Sequence, residues 1–568
     1  MNYEQKKADG QETSVCTSAP KMPENIENKE KIEENNTLIN VNVLTADTTQ
    51  NPTKQPVEYS KFDGWMVLAC YLCGYGFLWL INPFGLGMGV PVFTLCFCAL
   101  ALWYKKKSGP IPPKSWFWLA LMIAAALPFG VWSNDSVLEF YNLIFLMICA
   151  VYWVSVFYET RLENCVGDLL ATDLVNHFFR ISFGNMGHGV GAVRKLGKGK
   201  KAQWKTLLPV AAAVAASVPI LLLVLGDLSA ADEAFAKLLQ QLTVNLTISE
   251  NIWRILRRMA LAVPVGLWFF GLFFGAVGKS YNPCLTAQYC RNQRDKGRKL
   301  STAACAAVLI LFCGVYTLFL AVQTMNLVQV LMQEQSASFG YSEYARQGFF
   351  ELCRVTVINL VLLGLVRRFA VRTQGKLSPV LRWLDVVLCL QTLVLIGTAL
   401  GKMVLYIRVF GLTLLRVYTS WFMVLLIALF VILLVSSFCK ICVHRWITGA
   451  FCALFLLLCW CNVGGIITGH NVERLQRGVD KTLDTNALYS ISAAAAPQMR
   501  QLFNTTDDTE IRHQAQQVLL WAHDQSTCSW WNEPLDWAGC SLQSIRTKNI
   551  VESTVMPPNG SWSNRANS

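Results

Sequence analysis

Charge is scarce in this chain. Only 15% of its 568 residues are Asp, Glu, Lys or Arg, against roughly 25% in soluble globular proteins. That deficit excludes a soluble multidomain enzyme and a mainly disordered chain. Catalytic signatures are missing too, since no H-E-x-x-H, G-x-S-x-G or Walker A sequence occurs. The glycine-rich run 184–199 has Ala192 where a phosphate loop needs its first glycine, and Gly199 where it needs Ser or Thr. It reads instead as a flexible basic loop beside anionic lipid headgroups. Histidine is sparse: His177, His188, His444, His470, His513 and His523 all lie outside the hydrophobic stretches. Neither haem nor a histidine-ligated metal is expected in the membrane, and no cofactor is expected at all. The first thirty residues hold no apolar stretch, so no cleavable secretory signal is expected.

What the chain has in abundance is hydrophobic sequence, 54% of its residues. Spanning a bilayer takes about 20 apolar residues. Eleven stretches qualify, at 64–81, 84–104, 115–132, 137–158, 207–226, 259–278, 302–325, 349–366, 380–403, 412–435 and 446–467. The expected fold is therefore all-α, a polytopic transmembrane helix bundle of about eleven spans. Residues 1–62 read as a disordered cytoplasmic arm, 63–468 as the bundle, 469–540 as a small helical extracytoplasmic cap, and 541–568 as a disordered tail. Gly271 with Gly275, and Gly397 with Gly401, have the small-xxx-small spacing that lets helices approach closely.

Loop charge sets the expected orientation, because Lys and Arg near span ends stay cytoplasmic. Basic clusters follow the second span (Lys105, Lys106, Lys107), the fourth (Arg194, Lys195, Lys198), the sixth (Arg291, Arg294, Arg298) and the eighth (Arg367, Arg368, Arg372). Arg254, Arg257 and Arg258 dissent, but the alternation puts the N-terminus in the cytoplasm and the tail outside a cell membrane. The formal charge of +13 is then a matter of loop distribution, and no nucleic-acid partner is expected. Between Glu163 and Phe183, Val166, Leu169, Leu170, Leu174, Val175, Phe178 and Phe179 recur at helical spacing opposite Asp168, Asp173, Asn176 and Arg180. The pattern predicts a helix lying in the inner interface.

Most of the twenty cysteines sit within spans, where a thiol packs as a small hydrophobe. Cys528 and Cys540 differ, since the tail's compartment could oxidise them to a disulfide. Cys439, Cys442 and His444 crowd one loop, and Cys284 and Cys290 another, but nothing in the sequence joins them into a metal site.

Polar residues in spans are costly, so their positions are informative. Glu351 and Arg354 share one face at the start of the eighth span. Glu343 and Arg346 precede them with Tyr341 and Tyr344, Tyr406 and Arg408 lie in the connection after the ninth span, and Arg416 and Tyr418 open the tenth. All fall at the outer face. One reading is side chains snorkelling to the interface. The other is a pocket in which Glu343, Arg346, Glu351, Arg354, Tyr406, Arg416 and Tyr418 take an anionic guest such as a lipid headgroup. Asp385 is expected to pair with Arg382.

The run Tyr341-Ser-Glu-Tyr-Ala-Arg-Gln-Gly-Phe-Phe-Glu-Leu352, with a second from Leu405-Tyr406 through Gly411-Leu412-Thr413 to Arg416, Tyr418 and Trp421-Phe422-Met423, resembles a bacterial membrane-protein family. It is the domain-of-unknown-function group numbered 4153 and 4173. A weaker match covers Leu483-Asp484, Leu488 and Ala496-Pro497. The resemblance implies the polytopic architecture and the importance of both motifs, and supplies no reaction. The leading expectation is a non-enzymatic protein that transports or binds a small or lipid-like anionic ligand, with the bilayer and anionic headgroups as its partners. The alternatives are an envelope sensor or scaffold with an unidentified cytoplasmic partner, and a membrane transferase of lipid-linked groups acting through Glu343 or Glu351.

Overall fold

The computed structural model describes residues 57–81, 85–105, 109–163, 166–196, 250–277, 286–332, 338–372, 377–527 and 537–555, with scattered positions between 217 and 237; the side chains of 250–253 and 324–348 lie outside the description. The regular secondary structure of the described residues is helical, with an isolated parallel bridge between Leu300 and Ala370.

Four helices open the bundle: α1 (Lys61–Leu80), α2 (Gly89–Lys105), α3 (Lys114–Val131) and α4 (Ser136–Phe157). A broken helical segment follows, made of α5 (Leu170–Val175), a π-helical turn (Asn176–Ile181), α6 (Ser182–Asn185) and α7 (His188–Leu196). Beyond it come α8 (Glu250–Ala276), the short polar α9 (Ala287–Lys296), α10 (Thr302–Met332), α11 (Ser338–Phe369), α12 (Pro379–Phe410), α13 (Leu414–Phe438) and α14 (Val443–Trp460). Nine of these helices are long and apolar enough to cross a membrane, and α2 is a shorter apolar companion. Ten of the eleven expected spans thus coincide with helices; the fifth, 207–226, lies almost wholly outside the described residues.

The spans form two packed groups. In the first, α8 lies against α1, with α2, α3 and α4 alongside. Glycine makes the closest approach possible: a Cβ on Gly74 would stand 2.8 Å from the backbone of Gly266. Aromatic rings fill the space between, with Phe97 5.3 Å from Phe273 and 5.7 Å from Phe269. In the second group α10, α11, α12 and α13 enclose a core of Leu363, Leu388, Ile396, Met423 and Phe430. Across its middle runs a polar chain: the Tyr316 hydroxyl donates to Asn359 (2.7 Å), and the Asn359 amide donates to Thr392 (2.9 Å). Helix α14 bridges the groups, Trp421 of α13 donating to Leu454 O (2.9 Å) and Trp460 to Ala124 O of α3 (2.9 Å).

The predicted interfacial helix differs from its expectation. Asp173, Asn176, His177, Ser182 and Asn185 are buried, while Val175, Phe179 and Phe183 are exposed. Its polar stripe packs inward against α4 and α8: His177 contacts Thr160 (2.8 Å) and Asp173 O (2.8 Å), and Asn185 donates to Ile181 O (2.8 Å). The face that a soluble helix would bury is turned outward. The π turn shifts the register midway, which a uniform 3.6-residue period cannot anticipate. Here Gly271 is required, since a Cβ would come within 2.0 Å of Ser182 O. Gly397 and Gly401, by contrast, meet nothing within 4 Å.

The C-terminal part is a second helical layer of α15 (Val463–Gln476), α16 (Thr485–Tyr489), α17 (Ser492–Thr505), α18 (Thr509–Thr527) and α19 (Leu542–Thr554). The last of these corrects the expectation of a disordered tail from 541. Ser541 and Ser544 cap it reciprocally, and Ile550 and Val551 are buried. Its Thr547 donates to Ala493 O (2.8 Å) of α17.

The loops sort to two ends. At one end Lys105 donates to Phe157 O, Arg294 pairs with Asp168, His444 lies 2.9 Å from Asp168, and Arg368 donates to Arg294 O (3.3 Å). At the other, Met88 N–H donates to Cys540 O (2.9 Å), Ser133 N–H to Gln543 (2.9 Å) and Leu412 N–H to Asn471 (2.9 Å). The basic loops thus share one end and the helical tail covers the other.

Candidate functional site

The site lies at the tail-covered end, where α12 turns into α13. Helix α12 stops because Gly411 adopts φ 75°, a left-handed conformation that favours glycine, and its N–H returns to Ile407 O (2.8 Å). The last carbonyls of a helix have no partner inside it. Two arginines take them up. Arg474 of α15 donates to Arg408 O and, at 2.9 Å, to Val409 O. Arg416, in the first turn of α13, donates to Phe410 O (2.8 Å) and Gly411 O (2.5 Å). Positive charge at a helix C-terminus also complements its dipole. Arg474 is buried and held by Asp480 at 2.7 and 2.9 Å, and its hydrogen bonds keep the Asp480 carboxyl below the usual carboxylate range.

Beside this turn is a cavity of about 220 Å³ lined by Phe349, Phe350, Met403, Tyr406, Leu415 and Arg416, with Thr413 and Thr419. The Arg416 guanidinium sits 4.4 Å from the Tyr406 ring centre and 5.9 Å from that of Phe410, a cation–π arrangement. Among the described residues no carboxylate pairs with Arg416. The walls are therefore aromatic and aliphatic with one fixed cation, an arrangement that suits an anion carrying an apolar portion.

Of the five residues expected to converge whose side chains are described, Tyr406 and Arg416 line the cavity together. Glu351 is exposed on α11, within electrostatic reach of Lys402 on α12. Arg354 is exposed on the same helix. Neither lines the cavity. Tyr418 is not part of it either, since two residues along a helix turn a side chain to the far side. Its buried hydroxyl lacks a hydrogen-bond partner and lies near Asp135, Glu139 and Cys459 instead. The side chains of Glu343 and Arg346, like those of Tyr341 and Tyr344, lie outside the described residues, although their backbone is helical. Cys528 lies outside them as well, so the Cys528–Cys540 pairing does too.

Several residues of consequence carried little sequence signal. Phe349 and Phe350 form a wall of the cavity, although they look like any apolar pair at a span's start. Arg474 sits in an unremarkable polar tail. Asp385 takes Arg367 as its partner, with bonds of 3.0 and 2.5 Å, while the expected Arg382 lies 6.0 Å from the Phe438 ring. On the loop that the sequence considered for metal, His444 contacts Asp168, and Cys442 donates to Val166 O at 3.6 Å. The His444 and Arg294 contacts hold the Asp168 carboxyl well below its usual range.

The profile described as "Domain of unknown function (DUF4153)" matches residues 91–502. The chain belongs to that family. The match runs from α2 through α17, so it takes in the bundle, the α12–α13 turn and the first helices of the tail layer. No curated protein matches the chain, and no solved structure does. It is a multi-pass membrane protein of the DUF4153 family.

Proposed function

We propose that this protein binds an anionic, headgroup-sized ligand in the cavity beside the α12–α13 turn, and that Arg416 supplies the charge. The carrying observation is a guanidinium fixed by two carbonyls and an aromatic ring, facing an apolar-walled space with no carboxylate partner among the described residues. Part of its hydrogen-bonding capacity is left over, because only one Nη of Arg416 is engaged by those carbonyls. Arg416 is only half-buried, and a cation partly desolvated beside apolar walls is better accommodated when an anion accompanies it. The basic loop end is read as cytoplasmic and the tail layer as extracytoplasmic, in a cell membrane, on the positive-inside asymmetry. The site then opens toward the outer leaflet, where anionic lipids and lipid-like solutes are candidate guests for binding or transport.

Purified protein carrying Arg416→Gln, Arg354→Gln or both, analysed by native mass spectrometry for retained anionic lipid, tests the proposal. Arg416→Gln should reduce retention at least tenfold, and Arg354→Gln should leave it unchanged. Equal retention by parent and Arg416→Gln would sink the reading. Reporter fusions before α1 and after α19 test the orientation, which requires opposite compartments.

A second reading, a sensor whose outer layer signals through the bundle, draws on one observation. Arg474 of the tail layer and Arg416 of the cavity hold adjacent carbonyls of one turn, so a shift in either would be felt by the other. It would need a cytoplasmic partner at the basic loops.

A further inference from the structure

Four arginines from two separate connections meet at the end of the bundle opposite the cavity. The backbone brings them together: Leu300 N–H donates to Phe369 O (3.1 Å) and Val371 N–H to Leu300 O (3.0 Å). This parallel bridge fastens the chain leaving α9 to the chain leaving α11. Arg294 and Arg298 are thereby set beside Arg368 and Arg372. Arg368 donates to Arg294 O and Arg372 to Arg367 O, both at 3.3 Å.

Among the described residues two carboxylates answer these four charges. Asp295 accepts from Arg298 at 2.6 Å and is half exposed; Asp168 accepts from Arg294 but is shared with His444. Positive charge is therefore in excess. Two of the arginines are also far from fully hydrated, the Arg294 and Arg298 side chains being 20% and 14% exposed, while Arg368 and Arg372 are exposed beside them. The Nε of Arg294 and that of Arg298 are buried without a hydrogen-bond acceptor among the described residues, that of Arg294 lying 3.9 Å from Asp295. Partial desolvation, then the neighbouring Arg298 and Arg294, hold the exposed Arg372 below the ordinary arginine range. Crowded guanidiniums with donors left over are a poor arrangement for stability alone, and a good one for an anion with several oxygens in tetrahedral array. Guanidinium forks match phosphate geometry, with two parallel N–H···O bonds each.

We propose that Arg294, Arg298, Arg368 and Arg372 form a phosphate-binding site at the basic-loop end of the bundle. The guest is a phosphomonoester, borne either by a lipid of the adjacent leaflet such as phosphatidic acid or by a soluble phosphate ester. The site shares no residue with the Arg416 cavity, and either can fail without the other.

The test uses the full chain, parent and Arg298→Gln/Arg372→Gln. Thermal unfolding is followed by tryptophan fluorescence in two arms at constant ionic strength. One arm titrates inorganic phosphate against chloride in detergent, and the other compares phosphatidylcholine nanodiscs with and without phosphatidic acid. Binding to the native state raises the unfolding temperature by mass action, so the parent should gain several degrees in at least one arm. The double variant should lose that gain. Without added anion it should unfold no earlier than the parent, because it relieves like-charge crowding. A gain with free phosphate assigns a soluble ester; a gain only with phosphatidic acid assigns the lipid; both support the site. Should the double variant not fold, Arg298→Gln and Arg372→Gln singly should each raise the apparent Kd about tenfold, the scale of one lost charge-assisted contact. Arg416→Gln should respond like the parent. No response from the parent in either arm, or an undiminished response from the variants, would overturn the proposal.

Discussion

Arg367 and Asp385 form a two-pronged ion pair inside the bundle, Nε to Oδ1 at 3.0 Å and Nη2 to Oδ2 at 2.5 Å. Ser436 and Ser437 of α13 complete it, accepting from the same guanidinium at 2.7 and 3.0 Å, and Ser437 also donates to Asp385 at 2.9 Å. The pair ties α11, α12 and α13 into one unit. A buried pair can be nearly neutral overall, yet removing one partner strands the other. Asp385→Asn or Arg367→Met should therefore each cost about 3–5 kcal/mol. The double variant Arg367→Met/Asp385→Leu should recover much of that loss. Denaturation of all three in detergent checks it; additive losses in the double variant would mean that the two residues act separately.

Gly271 and Gly397 each begin a small-xxx-small pair, and their surroundings differ. A Cβ on Gly271 would stand 2.0 Å from the Ser182 carbonyl, whereas one on Gly397 meets nothing. Gly271→Ala should push the α6 segment off α8 and cost about 1–3 kcal/mol, as overpacking does. Gly397→Ala should be neutral or slightly stabilising, since alanine is the better helix former. Comparing the unfolding temperatures of the two variants decides the matter.

The spans could be read in the sequence because hydrocarbon imposes one simple demand, about 20 apolar residues in a row. Loop charge likewise anticipated which connections would gather at one end. Pairings across the membrane were less legible. Asp385 is three residues from Arg382 but finds Arg367 on another helix, a choice set by helix packing that no local spacing encodes. Tyr418 and Arg416 look like neighbours in sequence and diverge by helix geometry. Arg474 was overlooked because its importance comes from two carbonyls of α12, and carbonyls leave no mark on a sequence.

Asp173 gives the broken segment a pH dependence. It is buried, accepts the Leu162 N–H at 3.0 Å, and burial pushes its carboxyl up to about 6. Arg161 pulls in the opposite direction and Glu163 reinforces the rise. An unfolded aspartate titrates near about 3.9, so the native chain holds this proton more tightly. Stability contributed by the protonated form is therefore present below about 4 and lost as pH rises through about 6. His177 beside it runs the other way, since burial lowers its pKa and acid must force a charge upon it. Asp173→Asn keeps an acceptor for Leu162 and removes the titration. The variant should match the parent below about pH 4 and unfold at the same or a higher temperature above pH 6. Unfolding temperatures from pH 4 to 7 that stay parallel in the two proteins would show that Asp173 does not titrate in this window.

Arg474 holds the tail layer to the bundle at the turn that shapes the cavity. It replaces water at the carbonyls of Arg408 and Val409 and is itself neutralised by Asp480. Arg474→Ala removes all of these bonds at once and leaves Asp480 without its partner. With hydrogen bonds to a charged group worth about 1.5–3 kcal/mol each, the loss should loosen α15 from the turn well before the bundle unfolds. Limited proteolysis should then cut the connections between α15 and α18 several times faster than in the parent, while the spans stay protected. Arg474→Lys keeps a charge but not the fork, and should fall between. Because Arg416 shares the turn, ligand retention in the cavity should weaken in step with the proteolysis. Faster cleavage with undiminished retention would separate the tail's docking from the cavity, and would leave the binding reading standing without the sensor.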